Sequence, residues 1–408
     1  MNKPELLAPA GDLEKLKTAI QYGADAVYLG GEAFGLRKAS KNFSLDQMEK
    51  AVNFAKDFNR RLYVTMNIIP HEGDMIGVGD YSKELESIGV DALIVSDPGM
   101  FMAIREKAKD IEIHMSTQAS ITNSQAIKFW RDLGVTRVVL ARELSLEEIQ
   151  EIHTSLGDSI ELEAFVHGAM CMSYSGRCLL SNYMTGRDAN MGDCAQPCRY
   201  KYHLVEETRP GEYFPIEEHP EGSFIMNSKD LCMINHLDDV LKAGVKSLKI
   251  EGRVKSSYYL ATIVRAYRNV IDSFLKDPDH FDFDPYWLEE VKKVSHRDFT
   301  TGFYYKEAKK DAQVYTDNSY IRGYDFVGLV LDYDPVKKVA KVEQRNRLFP
   351  EDTVEIFGPQ GHDFQQIVGQ MVDEDGKEIE VANRAQMIFY MKVSQPVQKG
   401  YYIRRRGK

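Results

Sequence analysis

The chain has 408 residues, of which 43% are hydrophobic and 28% are charged, a composition typical of a soluble globular protein rather than a disordered, collagen-like or coiled-coil chain. The 52 Lys and Arg residues are outnumbered by 62 Asp and Glu residues, so the net charge is −10 and any RNA contact has to use local basic patches. The sequence has no run of about 18 apolar residues, and its start, MNKPELLAPAGD, lacks the features of a signal peptide. We therefore expect a cytoplasmic protein with no membrane contact.

Eight short runs of apolar and β-branched residues predict buried strands in the first 275 residues. These runs are Leu6–Ala8, Ala26–Gly30, Leu62–Met66, Ala92–Ser96, Ile111–Met115, Arg137–Ala141, Leu162–Val166 and Ser247–Ile250. Amphipathic stretches such as LEKLKTAIQYGA and SLDQMEKAVNFAKDF lie between them and predict helices. Several of these helices are preceded by side chains suited to capping an amino terminus: Asp12, Ser44, Asn123 and Ser145.

The alternation of strands and helices over residues 1–275 predicts an α/β fold, a (β/α)8 TIM-like barrel. A doubly wound open sheet is the alternative, but no GxGxxG fingerprint follows the first strand. A long insertion at about residues 169–240 interrupts the barrel between strands seven and eight. It follows the end of a strand, where barrel enzymes keep their chemistry, so we expect it to take part in function.

The composition changes after the last barrel helix. Residues 276–318 contain DPDHFDFDPYW and a short polar helix, and we interpret them as a linker. Residues 319–408 contain short alternating segments separated by turn residues, such as FVGLVLDYDP, KVAKVEQRN and DTVEIFGPQG. This pattern predicts a small all-β carboxy-terminal barrel domain.

Four of the five cysteines fall within 28 residues of the insertion, with the spacing C-x6-C-x15-C-x3-C. They are Cys171, Cys178, Cys194 and Cys198. In a reducing compartment such clustering indicates an iron–sulfur cluster or a zinc site rather than disulfides, with buried cysteines as the third alternative. The fifth, Cys232, occupies an apolar position that we interpret as the start of a helix and as a buried small hydrophobic residue.

Polar residues at the carboxyl ends of the predicted strands are the first candidates for a site. They are Asn67, Asp97, Ser116, Gln118, Arg142, Glu143, His167, Glu251 and Arg253. Arg142 and Arg253 are suited to holding a carboxylated small molecule through paired hydrogen bonds, and the alternative is a rim ion pair with Glu251. His167 is either an acid–base group or a hydrogen-bonded packing residue.

Motifs of known hydrolases are missing from the sequence. There is no HExxH, because His71 and Glu72 are not followed by a second histidine, and there is no G-x-S-x-G elbow or papain-like cysteine signature. A peptidase function therefore has no recognisable catalytic motif.

A group of basic residues marks the carboxy-terminal domain. It comprises Arg345, Arg347, Arg404, Arg405, Arg406 and Lys408. This group either contacts RNA phosphates or forms a solvated tail.

Several long segments resemble the collagenase-like peptidase family, peptidase family U32. They are PELLAPAGDLEKLKTAIQYGADAVYLGG, HMSTQASITN, ELEAFVHGAMCMSYSGRCLLSNYMTGRDANMGDCAQPCRYKY and NSKDLCMINHL with SLKIEGRVKS. The resemblance spans the whole predicted barrel, and the β-domain is similar to that family's carboxy-terminal domain, which is like the second domain of translation factors.

The resemblance implies hydroxylation chemistry despite the family's name. Members hydroxylate the wobble uridine of tRNA to 5-hydroxyuridine with prephenate and a 4Fe–4S cluster, hydroxylate a cytidine in ribosomal RNA, or support oxygen-independent ubiquinone synthesis. This chain has the β-domain and the CAQPC pair, so it is most similar to the tRNA branch. By that resemblance Cys171, Cys178, Cys194 and Cys198 match the cluster cysteines.

The resemblance implies a prephenate-dependent tRNA uridine hydroxylase. In this hypothesis Arg142 and Arg253 bind the prephenate carboxylates, while Gln118, His167 and Glu251 position substrate or transfer protons. Strand-end position, and not the family, suggests these five roles. The alternatives are a collagenase-like peptidase and a non-catalytic iron–sulfur subunit of a hydroxylase complex. The expected partners are tRNA, the carboxylated co-substrate and, in a homo- or hetero-oligomer, a second copy or a paralogue.

Overall fold

A computed structural model describes residues 3–35, 42–170, 178–199, 229–305 and 321–407, together with 203–204, 208, 211 and 214–215. The chain forms two compact units. The first comprises Met1–Leu16, Asp25–Val254 and Arg297–Tyr320. The second comprises Lys17–Ala24, Lys255–His296 and Ile321–Lys408.

A closed barrel of parallel strands is the centre of the first unit. The strands of the first unit are β1 (Glu5–Pro9), β2 (Ala26–Gly30), β3 (Arg61–Met66), β4 (Ala92–Val95), β5 (Glu112–Met115), β6 (Arg137–Val139), β7 (Glu161–Ala169), β8 (His203–Leu204), β9 (Phe214–Pro215), β10 (Asp230–Cys232), β11 (Ser247–Ile250) and β12 (Phe299–Thr300), of which β8 and β9 pair, among the described residues, only with each other. Strands β1 to β7 and β11 are parallel neighbours, and β11 pairs with both β1 and β7, which closes the sheet. Each of the eight predicted runs overlaps one of these strands, so the predicted (β/α)8 TIM-like barrel is confirmed.

Helices alternate with the barrel strands. In chain order the helices are α1 (Leu13–Gln21), α2 (Leu45–Asp57), α3 (Val78–Ile88), α4 (Pro98–Lys107), α5 (Ser124–Asp132), α6 (Leu146–Leu156), α7 (Leu180–Thr185), α8 (Leu237–Lys242), α9 (Ser257–Lys276) and α10 (Tyr286–Val291). The four predicted amino-terminal caps are confirmed, because Asp12, Ser44, Asn123 and Ser145 each accept a hydrogen bond from a main-chain amide of the first turn. Across the described residues, no helix is both long enough and apolar enough to cross a membrane.

The two ends of the cysteine-bearing insertion meet as paired strands. The last residues of β7 pair antiparallel with β10, with Ala169 opposite Asp230 and His167 opposite Cys232. Cys232 is 4% exposed, which confirms the predicted burial. The prediction that it starts a helix is wrong, because it ends β10, whose partner strand lies far earlier in the chain.

An antiparallel sheet of eight strands occupies the carboxy-terminal part of the second unit. Its strands are β13 (Tyr324–Asp334), β14 (Val339–Gln344), β15 (Thr353–Phe357), β16 (Phe364–Ile367), β17 (Met371–Val372), β18 (Glu378–Ile379), β19 (Ile388–Lys392) and β20 (Tyr402–Arg406). Their order is β16-β15-β20-β13-β14-β19-β17-β18, and the register of β13 shifts after Phe326 and again after Val330. These shifts bend the strand around a buried aliphatic core, so the sheet forms a half-barrel. The predicted all-β carboxy-terminal domain is confirmed.

Candidate active site

The five residues predicted to bind or act on substrate lie after four consecutive barrel strands. Gln118 follows β5, Arg142 follows β6, His167 lies near the end of β7, and Glu251 and Arg253 follow β11. Because β5, β6, β7 and β11 are neighbours in the closed sheet, these residues share one side of the carboxyl-terminal rim. That rim is where barrel enzymes hold their substrates.

Amide and hydroxyl side chains follow β3 and β5. The side-chain amide of Asn67 donates to Ser116 Oγ at 3.3 Å, and the main-chain amide of Gln118 donates to the same Oγ at 3.2 Å. Ser116 is 2% exposed, so its buried hydroxyl links the segment after β3 to the segment after β5. Asn67 Oδ1 and Gln118 Oε1 are both buried and have no hydrogen-bond partner among the described residues.

Arg142 is held as a flat platform after β6. Its guanidinium lies 3.9 Å from the ring centroid of Phe165, and Nη1 donates to the Ala169 carbonyl at 2.8 Å. Its Nε is buried without a partner in the part of the chain that the structure describes. Burial raises the pKa of the neighbouring Glu143, despite main-chain amides that bond the carboxylate, and its Oε2 is likewise buried without a described partner.

His167 and Glu251 are brought together by the main chain. The Glu251 amide donates to the His167 carbonyl at 2.8 Å. The His167 side chain is 2% exposed, and its ring lies edge-on to Phe299 at 5.7 Å between centroids. Gly168, the residue after His167, has φ +114°, and a Cβ there would lie 2.8 Å from the Glu251 carbonyl oxygen. Glycine is therefore required where the end of β7 approaches the segment after β11.

The Arg253 side chain crosses the rim toward β2 and β3. It is 5% exposed, and Nη1 donates to Thr65 Oγ1 at 2.9 Å. A Cβ on Gly30 would lie 2.5 Å from the same Nη1, so the glycine at the end of β2 makes room for the guanidinium. The Arg253 guanidinium is thus buried, whereas Arg142 is half-buried and stacks on the Phe165 ring.

The cysteine-bearing insertion contains a small folded element. Cys178 and Cys198 are half-buried and Cys194 is exposed, while Cys171 lies outside the described residues. Helix α7 begins two residues after Cys178 and packs against the 3-10 helix Pro197–Arg199, which contains Cys198. The element therefore brings the segments of the second and fourth cysteines together.

Hydrogen bonds connect this element internally and to the barrel rim. The Ala195 amide donates to Ser181 Oγ of α7 at 2.9 Å. The Ile69 amide, just after β3, donates to the Asn190 carbonyl at 3.3 Å. The insertion thus contacts the rim beside the amide and hydroxyl side chains.

Three of the four predicted cluster cysteines belong to the described residues, and thiolate is the donor that iron–sulfur clusters use. Cys194 Sγ accepts a hydrogen bond from the Gln196 amide at 3.3 Å, in a turn where Gln196 has φ +59°. Hydrogen bonds to ligand sulfurs are one of the ways in which proteins tune such clusters. Cys178, Cys194 and Cys198 would supply three thiolates, and Cys171 is the sequence candidate for the fourth.

An ionic network inside the barrel was missed by the sequence analysis. Glu163 on β7 is fully buried between Lys249 Nζ at 2.6 Å and Arg137 Nη1 at 3.1 Å. Ser247 Oγ donates to both Glu163 and Glu5, and Arg137 also pairs with Glu5 at 2.5 Å. The available signal was a charged residue at an alternating, inward-facing position of an otherwise apolar strand.

The basic residues at the end of the chain are only partly a surface group. Arg404 is fully buried and bonds Glu290 at 2.5 Å and Glu355 at 2.7 Å, and Arg405 is 8% exposed and bonds Asp352 at 2.5 Å. The expectation of an RNA-contacting or solvated tail is wrong for these two arginines, because the alternation along β20 turns them toward acidic partners.

A group of three acidic side chains accompanies that arginine. Carboxylate oxygens of Glu290, Glu355 and Asp363 lie within 4.8 Å of one another. Arg404 bonds the first two, and Lys293 lies 2.7 Å from Glu290 and 2.9 Å from Glu355. Arg265 also pairs with Glu290 at 2.7 Å, so three cations accompany the three carboxylates and the group is structural.

Known protein families and relatives match this chain over nearly its whole length. The model of peptidase family U32 matches residues 11–314, and that of the family's C-terminal domain matches residues 322–404. The chain is 42% identical to tRNA hydroxylation protein P1 of Bacillus subtilis, over 99% of this chain and 95% of that relative. It is 38% identical to tRNA hydroxylation protein P of Escherichia coli, over 89% and 88%. A 23S rRNA 5-hydroxycytidine synthase of Escherichia coli is 36% identical over 83% of this chain and 49% of that relative.

Proposed function

The chain belongs to peptidase family U32, and from this membership we propose that it is a tRNA-modifying enzyme that acts in tRNA hydroxylation. The observation that carries this proposal is the near full-length similarity to proteins named for tRNA hydroxylation. A relative named for hydroxylation of a ribosomal RNA base places the same chemistry elsewhere in the family.

We further propose that the reaction converts the wobble uridine to 5-hydroxyuridine with prephenate as co-substrate. Prephenate carries two carboxylates, and arginine is the side chain best suited to bind them. Arg142 supports this role because its Nε is buried and lacks a described partner while Phe165 holds the guanidinium plane. Arg253 would contribute positive charge from its buried slot, where its guanidinium bonds Thr65 of β3.

The remaining rim residues would orient the RNA base and handle protons. Gln118 offers a side-chain amide after β5, and Glu251 lies after β11 next to His167. His167 is buried against Phe299, so in this proposal it positions Glu251 through the main chain and its ring shields the site from water.

A 4Fe–4S cluster would be held by Cys171, Cys178, Cys194 and Cys198. Such a cluster supplies one-electron transfer when it is bound. The hydrogen bond between the Ile69 amide and the Asn190 carbonyl supports this location, because it joins the cysteine-bearing insertion to the barrel rim.

The test is to express the chain in a bacterial strain that lacks its own tRNA hydroxylation proteins and to measure 5-hydroxyuridine in digested tRNA by mass spectrometry. We expect the nucleoside to appear with the wild-type chain and to fall at least about tenfold with Arg142→Lys, which keeps the charge but loses the planar, stacked fork. The matched control is Arg131→Lys, in the last turn of α5, whose carboxyl end lies at the opposite face of the barrel.

A purified chain then separates the alternatives. Hydroxylation by the chain alone with prephenate excludes the non-catalytic subunit. Absence of 5-hydroxyuridine in cells and in vitro, together with cleavage of gelatin that Arg142→Lys abolishes, would replace the proposal with the peptidase alternative.

A further inference from the structure

Three carboxamide side chains at the barrel mouth have buried oxygens without a hydrogen-bond partner among the described residues. They are Asn67 Oδ1, Gln118 Oε1 and Asn190 Oδ1, and we call these three residues the amide cluster. The segments that carry them are joined by hydrogen bonds. Asn67 and Gln118 both bond Ser116 Oγ, and the Asn190 carbonyl accepts from the amide two residues after Asn67.

Buried oxygens of this kind indicate a ligand that donates hydrogen bonds. A carbonyl oxygen removed from water without a donor is unfavourable, and folded proteins keep few such groups. On adjoining segments of the rim and the insertion, such oxygens are best explained by a ligand that donates a hydrogen bond to at least one of them. The assigned positions of the carboxamide oxygen and nitrogen can be exchanged by a flip, but in either orientation the side chain has an acceptor oxygen beside a donor NH2 group.

The chemistry of the amide cluster distinguishes between the possible ligands. Ionised carboxylates and phosphates only accept hydrogen bonds, so the two carboxylates of prephenate or an RNA phosphate would leave the carboxamide oxygens without donors. The edge of an unpaired nucleobase alternates donors and acceptors, and uracil places its N3–H between two carbonyl oxygens. Proteins recognise unstacked RNA bases by hydrogen bonds to this edge.

From this match we infer that the amide cluster binds the Watson–Crick edge of the target uracil, with a carboxamide oxygen accepting from N3–H and a carboxamide NH2 donating to a base carbonyl. This inference rests on the proposed function. The rim then has two halves, an amide half after β3 and β5 for the base and a cationic half at Arg142 for the carboxylated co-substrate. Asn67, a strand-end candidate without an assigned role, and Asn190, which lies on the insertion, become specificity-determining residues.

The experiment measures binding of synthetic anticodon stem-loops to the full-length chain. One RNA has uridine at the wobble position, and the second has 3-methyluridine, which lacks the N3–H but keeps both carbonyls. We expect the wild-type chain to bind the methylated RNA roughly ten- to a hundredfold more weakly. In Asn67→Ala and Gln118→Ala the affinity for the uridine RNA should fall, and the difference between the two RNAs should shrink to about twofold or less.

The control variant is Gln150→Ala, which removes an exposed carboxamide of α6 and should keep the wild-type difference. Thermal melting of all variants tests whether they fold. An undiminished 3-methyluridine penalty in folded Asn67→Ala and Gln118→Ala would overturn the inference and leave the proposed function intact. Failure of the wild-type chain to bind either RNA would overturn both.

Discussion

Replacing Glu163 by Gln should strongly destabilise the barrel, because it leaves two cations buried without their shared carboxylate. Glu163 is fully buried and bonds Lys249 at 2.6 Å, Arg137 at 3.1 Å and Ser247 at 3.0 Å. Glutamine keeps the size and one acceptor oxygen but removes the charge. The variant therefore tests the ionic part of the network rather than its packing.

The magnitude follows from the pKa of the carboxyl group. Burial by itself raises the pKa of Glu163, but Lys249 and Arg137 outweigh it and lower the pKa from 4.5 to about 2. A shift of this size corresponds to about 3 kcal/mol at neutral pH. Burial also lowers the pKa of Lys249, which reduces the net gain from the pair. We therefore expect Glu163→Gln to lower the free energy of unfolding by about 3 kcal/mol, at the lower end of the range for breaking a buried pair.

Fluorescence can report the barrel alone, since the chain has two tryptophans and each lies in a different unit. In a Trp287→Phe background, Trp130 of α5 reports guanidinium unfolding of the first unit. The matched control is Glu161→Gln on the same strand, whose side chain is 52% exposed and pairs with Arg137 at 2.6 Å. Because water screens the half-exposed Glu161 carboxylate, removing its charge should lower the free energy of unfolding by less than removing that of Glu163.

The pH dependence gives a second check on the sign. Because folding lowers the pKa of Glu163, its stabilisation is fully present above about pH 5 and is lost as the pH falls through about 2. The difference in unfolding free energy between wild type and Glu163→Gln should therefore be constant from pH 7 to pH 5 and should decrease at lower pH. Equal losses in Glu163→Gln and Glu161→Gln would show that the buried charges are not coupled as described.

Three further outcomes are expected. The chain purified without oxygen should hold about four irons and four sulfides, lost in Cys194→Ala and retained in Cys232→Ala, as iron and acid-labile sulfide assays will show. Gly168→Ala should lower the barrel unfolding free energy by more than about 1 kcal/mol in the same fluorescence assay, because alanine disfavours φ +114° and its Cβ would meet the chain after β11. Arg404→Met should destabilise the second unit by about 3–5 kcal/mol, since it leaves buried carboxylates unpaired, whereas Arg406→Met should leave the melting of that unit unchanged.

Local sequence was sufficient to predict the barrel, because parallel strands buried on both faces appear as short apolar runs. The run Ser247–Ile250 coincides with β11, and Ala26–Gly30 coincides with β2. The run Leu162–Val166 falls short of β7, which continues to Ala169. The additional residues include His167 and Gly168, and they are extended because β10 pairs with them from beyond the insertion.

Partners distant in sequence explain the other errors and omissions. The arginines of β20 looked like a tail because Glu290, which neutralises Arg404, lies 114 residues earlier. Lys249 lies inside the predicted strand Ser247–Ile250, and its partner Glu163 on β7 lies 86 residues earlier. The roles of the cluster cysteines and of the rim residues stay predictions, since they depend on ligands rather than on the fold.

The pairing of β7 with β10 makes the cysteine-bearing insertion an exchangeable module. Its two ends are held at the spacing of neighbouring hydrogen-bonded strands, about 5 Å apart. The length of chain between Ala169 and Asp230 can therefore change without moving the two strand ends that join it to the barrel. Lengthening such a loop carries only a small entropic cost. Relatives can remodel this module for other RNA targets without rebuilding the scaffold, so functional divergence in the family should concentrate there.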